Sequence, residues 1–165
     1  MKVLYIYPKG NPLIQKHVEL LAEGLRLSAD ISIADSYSSF KQILKDQQPD
    51  IVHCHGCWNF DIFRAAMSGR KAGARIVLTL HGQMEPWAVE QQTTQAKTGR
   101  LLQWQKICIQ RAYAIITLGQ LEHKNFLDLK WNSRVEVIHN AIITNTITPS
   151  EMCSQTFAIY QKVID

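Results

Sequence analysis

Short apolar runs rich in valine and isoleucine recur along the chain, at Val3 to Tyr7, Ile31 to Ala34, Ile51 to His55, Ile76 to His81, Ala114 to Leu118 and Val135 to His139. Each is too short for a helix, and each is continuous where a half-exposed strand would alternate. That pattern predicts six strands of a parallel sheet covered on both faces. Helical spacing fills the intervals. Ile14, Val18, Leu21 and Leu25 fall on one stripe, with Gly24 weakening its last turn. Ser38 or Ser39 is placed to cap a second helix carrying Phe40, Ile43 and Leu44; it must stop before Pro49, because a residue preceding proline avoids the helical region. Further helices are predicted over Asp61 to Lys71, Leu101 to Ala112 and Gln120 to Leu129. Thr148-Pro149-Ser150-Glu151 is a capping box with proline at the first helical position, so a last helix starts there. Met152, Thr156, Ile159 and Val163 form its inner stripe, with Tyr160 and Ile164 beside it.

Strands alternating with helices, joined by right-handed crossovers, predict an α/β fold: a doubly wound, Rossmann-like three-layer sandwich with a mainly parallel sheet of about six strands. The expected organisation is a Rossmann-like domain over residues 1–147 and an amphipathic helix over 148–165 packing on it. The segment from Gln83 to Gly99 is the least regular. It follows the C-terminal end of a predicted strand, where open α/β sheets place their ligands.

At 165 residues with 46% hydrophobic and 19% charged positions, the chain has the composition of one ordinary globular domain. The apolar stretch after Lys2 is shorter than a signal-peptide core and no other run has spanning length, so the expected location is cytoplasmic. Cys54, Cys57, Cys108 and Cys153 lie in apolar periodic segments, which predicts reduced thiols. A net charge of +4 without a basic run is too small to establish nucleic-acid binding, and no nucleic-acid partner is expected. Between Lys97 and Arg134, seven basic residues face only Glu122 and Asp128. This is either a solvated face or a contact with an anionic acceptor or the inner face of a membrane.

The strand ends are expected to bring Gly10, His55, His81 and Gly82 to one edge of the sheet. Gly10 permits a tight turn where a phosphate can approach the following helix, or serves only as a turn. His81, as a neutral imidazole, can accept a hydroxyl hydrogen bond. Glu85 can accept from ligand hydroxyls or stand in solvent; Trp58 and Trp87 can present flat apolar faces to a ligand or pack in the core. Asn140, at another strand end, is expected to cap its loop. For His53-Cys54-His55-Gly56-Cys57 no metal is expected, since His53 and Cys54 point to opposite faces of a strand and no second ligand pair has zinc-finger spacing. A strand running into Gly56 also lacks the helix start that activates a Cys-x-x-Cys thiol.

Four segments, His55-Gly56-Cys57-Trp58-Asn59, Thr79 to Trp87, Arg111 to Thr117 and Val137 to Ala141, together resemble the N-terminal, acceptor-binding half of family 4, GT-B-fold glycosyltransferases. The His-Gly-x-x-Glu-Pro-Trp element is the most specific of them. The last segment usually ends Pro-Asn-Gly, where this chain has His139 and Ala141 around Asn140. Gln155 to Ile164 resembles the closing helix of full-length members, so the resemblance implies an acceptor-side domain without its donor-binding half. It further implies His81 as the catalytic histidine facing the reacting sugar and His55, Trp58, Gly82, Glu85 and Trp87 as acceptor-binding. Gly10 would stand on the phosphate-side loop, and no cofactor is implied. The implied partners are a sugar or lipid-linked glycan acceptor and a donor-binding domain or subunit, and the implied activity is glycosyl transfer from a nucleotide-activated sugar, with the chain inactive alone; the alternative is a non-catalytic carbohydrate-binding or partner subunit of a split enzyme.

Overall fold

The computed structural model describes residues 1–95 and 99–165. Six strands, β1 (Lys2–Ile6), β2 (Asp30–Ala34), β3 (Ile51–His55), β4 (Arg75–Thr79), β5 (Ala114–Thr117) and β6 (Val135–Val137), form one sheet in the order β2-β1-β3-β4-β5-β6. Every neighbouring pair is parallel. The fold is therefore the predicted α/β three-layer arrangement. Side chains alternate across the sheet. Leu4, Ile6, Val52, Cys54, Ile76, Leu78 and Ile115 enter one buried cluster, and Val3, Tyr5, Ile51, Val77 and Ile116 the other. The first layer is completed by α2 (Tyr37–Gln47), α3 (Phe60–Lys71), α5 (Arg100–Arg111) and α6 (Gln120–Asp128), the second by α1 (Pro12–Leu25) and α7 (Pro149–Ile164).

Three strands are shorter than predicted, β5 by one residue at Thr117. β4 ends at Thr79 because His81 and Gly82 take left-handed φ angles of 56° and 74°, and β6 ends at Val137. The cap of α2 is Ser36, not Ser38 or Ser39: its side chain accepts from the Ser39 N–H while Ser39 reciprocates to the Ser36 N–H. Within the segment read as irregular, Pro86–Gln95 is a helix, α4. Its lack of an apolar stripe hid it from periodicity, although Pro86 is a good first helical residue. Lys97 lies outside the described residues.

α7 begins at Thr148, whose side chain accepts from the Glu151 N–H while the Glu151 carboxylate accepts from the Thr148 N–H. Its inner face is Met152, Cys153, Thr156, Ile159, Tyr160 and Val163, whereas Ile164 is 39% exposed. Gly24 has a packing reason for its place in α1: a Cβ there would collide with the Cys153 sulfur, so glycine sets how closely α1 and α7 approach. Tyr160 then fastens the helix to the sheet, its hydroxyl lying 2.6 Å from His53 Nδ1 and donating to the Tyr5 hydroxyl at 3.0 Å.

Candidate functional site at the strand edge

In this strand order the chain leaves β1 to one side for β2 and returns to the other for β3, which opens a crevice between the C-terminal ends of β1 and β3. A cavity of about 370 Å³ lies there, bounded by Gly10, Asn11, Trp58, Asn59, Gln83 and Trp87 among others. A larger one of about 450 Å³ sits between Leu20–Leu25 of α1 and the first turns of α7. The strand-edge cavity is the better candidate on chemistry, because it combines aromatic faces, amides and a helix N-terminus, as a polyol site requires.

Its walls follow from local sequence. Gly10, with φ of 86°, turns the chain into α1, where the Asn11 side chain accepts from the Ile14 N–H and Pro12 occupies the first turn. Trp58, at φ of 58°, is held from three sides. Its N–H donates to Gln105 Oε1 at 2.7 Å, its indole N–H to the Gln83 carbonyl at 2.6 Å, and the neighbouring Cys57 N–H to Gln83 Oε1. Trp58 is thus a rigid wall whose own donor is already used. Trp87, on the first turn of α4, is 66% exposed and is not a core residue.

Behind the cavity the turn after β4 is fixed by Glu122, from the first turn of α6. One carboxylate oxygen accepts from the Gly82 N–H at 2.6 Å and the other from the Leu118 N–H at 2.7 Å. Burial raises the Glu122 carboxyl above its ordinary range, and the two N–H donors pull against that rise. Only glycine holds φ near 74° without strain, so Gly82 lets its N–H turn inward to Glu122. Glu85, half-buried, accepts from Asn125 Nδ2 at 2.6 Å and does not stand free in solvent.

Of the predicted residues, Gly10, Trp58 and Trp87 meet on the cavity, while His55, His81, Gly82 and Glu85 lie outside its lining. His55 is fully enclosed, with Nδ1 3.2 Å from Nε2 of the half-buried His81. Burial, with smaller contributions from neighbouring imidazoles, lowers both well below the ordinary histidine range, so both are neutral near pH 7.

Residues the sequence reading passed over complete the neighbourhood. His17, on the buried stripe of α1 beside Val18 and Leu21, places Nδ1 3.2 Å from Asn140 Oδ1, and burial lowers it too. Asn140 also caps its own turn, accepting from the Ile142 N–H at 3.1 Å. His17 was legible as one turn on from Ile14; Gln83, Gln105 and Glu122 carried no signal until the loops were placed. Cys54 and Cys57 are buried thiols pushed up well above the ordinary range by burial, which agrees with the absence of redox activation.

The profile of Glycosyltransferase Family 4 matches residues 5–146. No curated protein matches the sequence. Among solved structures the fold is similar to UDP-N-acetylglucosamine 2-epimerase from Rickettsia bellii, with a TM-score of 0.62 at 10% identity over 98% of this chain and 49% of that one. The chain thus spans about half the length of the epimerase. A short-chain dehydrogenase/reductase (wide type) from Veillonella parvula in complex with NADP aligns over 97% of this chain and 87% of its own, with a TM-score of 0.44 at 8% identity.

Proposed function

The chain belongs to glycosyltransferase family 4, and from that membership we propose that it is the acceptor-side half of an enzyme moving a glycosyl group from a nucleotide-activated sugar to a sugar or lipid-linked acceptor. The observation that carries the reading is the cavity at the β1/β3 switch point, with Trp87 exposed on its rim and the neutral His81 on the adjoining turn. An exposed indole supplies the apolar face a sugar ring stacks on; Asn11, Asn59 and Gln83 supply amides for its hydroxyls. His81 Nε2 is engaged with His55, so on this reading Nδ1 is the nitrogen that meets the acceptor hydroxyl. Neutral at pH 7, that nitrogen can accept the hydroxyl proton's hydrogen bond and aim the oxygen at the anomeric carbon. The donor would be held by a second Rossmann-like half, on the same or another polypeptide, closing over this edge.

Contact with an anionic membrane face remains part of the proposal for a lipid-linked acceptor. Two of the basic residues that motivated it lie against aromatic rings, Lys106 over Trp131 and Arg134 over Tyr113. Among the described residues no helix is long and apolar enough to cross a membrane.

Ligand-observed NMR with a panel of glycans and, separately, nucleotide sugars tests the reading. Glycans should bind the chain and lose affinity in Trp87→Ala, while His81→Ala should abolish transfer in an assembly containing a donor half. Tight binding of nucleotide sugars with no glycan binding would assign the cavity to the donor and reject the proposal.

A further inference from the structure

Three histidines converge behind the strand edge from three elements: His17 from α1, His55 from the end of β3 and His81 from the turn after β4. One imidazole nitrogen from each lies within 4.8 Å of the other two. The pair His55 Nδ1 and His81 Nε2 stands at 3.2 Å. With Zn–N bonds of about 2.0–2.1 Å, two ligands on one tetrahedral zinc are roughly 3.3–3.4 Å apart, so this pair already has the spacing of a coordination edge. The third nitrogen has at most about 1.5 Å to close, on the same geometry.

The protonation pattern suits an ion. Asn140 Oδ1 accepts from the Ile142 N–H, which identifies that atom as oxygen; His17 Nδ1 therefore carries the proton it donates there, and Nε2 keeps its lone pair. A histidine whose second nitrogen is anchored on a carbonyl is the usual arrangement behind a metal ligand. Coordination by His55 Nδ1 and His81 Nε2 requires the hydrogen shared between them to move to the far nitrogen of its ring, and His55 Nε2, buried with no hydrogen-bond partner among the described residues, is free to carry it. His81 is only half-buried, which leaves an entry side.

We propose that His17, His55 and His81 form a binding site for a borderline divalent transition ion, Zn²⁺ or Co²⁺, with three imidazole ligands and a fourth position open on the His81 side to water or an anionic oxygen. The site shares His81 with the glycosyltransferase reading but does not rest on it, and its test needs no turnover. It also differs from the Cys-His run in β3: Cys54 faces the opposite side of the sheet from His53 and His55.

The purified chain, stripped with chelator, is titrated with Co²⁺ and with Zn²⁺, following the visible bands of tetrahedral cobalt and the heat of zinc binding. The expected result is saturation at one ion per chain, weakened at least about tenfold in His17→Gln and in His81→Asn and unchanged in His123→Ala. X-ray absorption on the zinc-loaded parent reads the ligands without any variant, and imidazole nitrogens without sulfur are expected. Absence of saturable binding, sulfur in the zinc shell, or unaltered affinity in a folded His17→Gln or His81→Asn variant would each overturn the site. Glycan binding by the chelator-treated chain is scored separately, so failure of the metal site leaves the acceptor reading intact.

Discussion

Replacing Tyr160 by phenylalanine removes one oxygen from the centre of the α1/α7 layer. Tyr160, Tyr5 and His53 are all 0% exposed, so water cannot replace what is lost. The donor order follows from counting hydrogens. Because the Tyr160 hydroxyl donates to Tyr5, it must accept from His53 Nδ1–H; His53 Nε2 then accepts from the Thr79 hydroxyl at 2.7 Å. Tyr160→Phe strands the His53 N–H and removes the donor to Tyr5. With about 1 kcal/mol for the lost bond to Tyr5 and about 1–3 kcal/mol for the buried His53 donor left without an acceptor, the variant should lose roughly 2–4 kcal/mol. For a domain of this size that lowers Tm by roughly 5–15 °C. Tyr5→Phe removes the terminal acceptor and leaves the buried Tyr160 hydroxyl proton without one, so it should cost about 1–3 kcal/mol, and the double variant should be less than additive. Calorimetry or urea unfolding of the four proteins closes the cycle. A Tyr160→Phe protein melting with the parent, or strict additivity, would refute the hydrogen-bonded fastening of α7.

Glu122→Gln should destabilise the domain by about 2 kcal/mol near neutral pH, since an amide cannot accept from both the Gly82 and Leu118 N–H groups. Because the carboxyl is raised in the fold, its favourable contribution is present below its ordinary value of 4.5 and declines as pH rises through the folded value. Urea unfolding from pH 4 upward should therefore show that decline in the parent and its absence in the variant; parallel curves would contradict it. Thr148→Ala should cost about 1 kcal/mol of thermal stability through the lost cap of α7, and an unchanged melting curve would mean the cap is dispensable. The purified chain alone should bind no nucleotide sugar tightly and sustain no transfer, because orienting donor and acceptor supplies roughly 7–11 kcal/mol of barrier reduction and needs both halves of a cleft. Turnover without a copurifying protein would show that a donor site exists on this half.

The strands were legible because buried parallel strands leave unbroken valine and isoleucine runs, and β3 was read to the residue. The overruns at β4 and β6 share a cause: composition continues past the point where backbone conformation ends the ladder, as at His81, which is apolar-flanked yet left-handed. α4 was missed because a polar helix over a cleft has no stripe to read. The Asp35-Ser36-Tyr37-Ser38-Ser39 run contains several competent caps, and only the reciprocal Ser36–Ser39 pairing selects one. Gly10, His55, His81 and Gly82 could be placed at one edge from strand ends alone. His17 could not join them before the sheet order put α1 against β3, nor could Glu122 be seen as the brace of the His81–Gly82 turn before α6 had a position.

The fastening of α7 bears on how the chain is made. Tyr5 and Tyr160 meet across 155 residues. Until Tyr160 has left the ribosome, the face of β1 and β3 that carries Tyr5 and His53 has no helix over its polar atoms. At roughly 5–20 residues per second, that interval lasts on the order of ten to thirty seconds. During it the nascent domain can assemble the α2, α3 and α5 side of the sheet, but the opposite side, covered by α1 alone, leaves the mix of apolar and hydrogen-bonding groups under α7 exposed. Chaperone engagement should accordingly be concentrated in that window and end when the last helix docks.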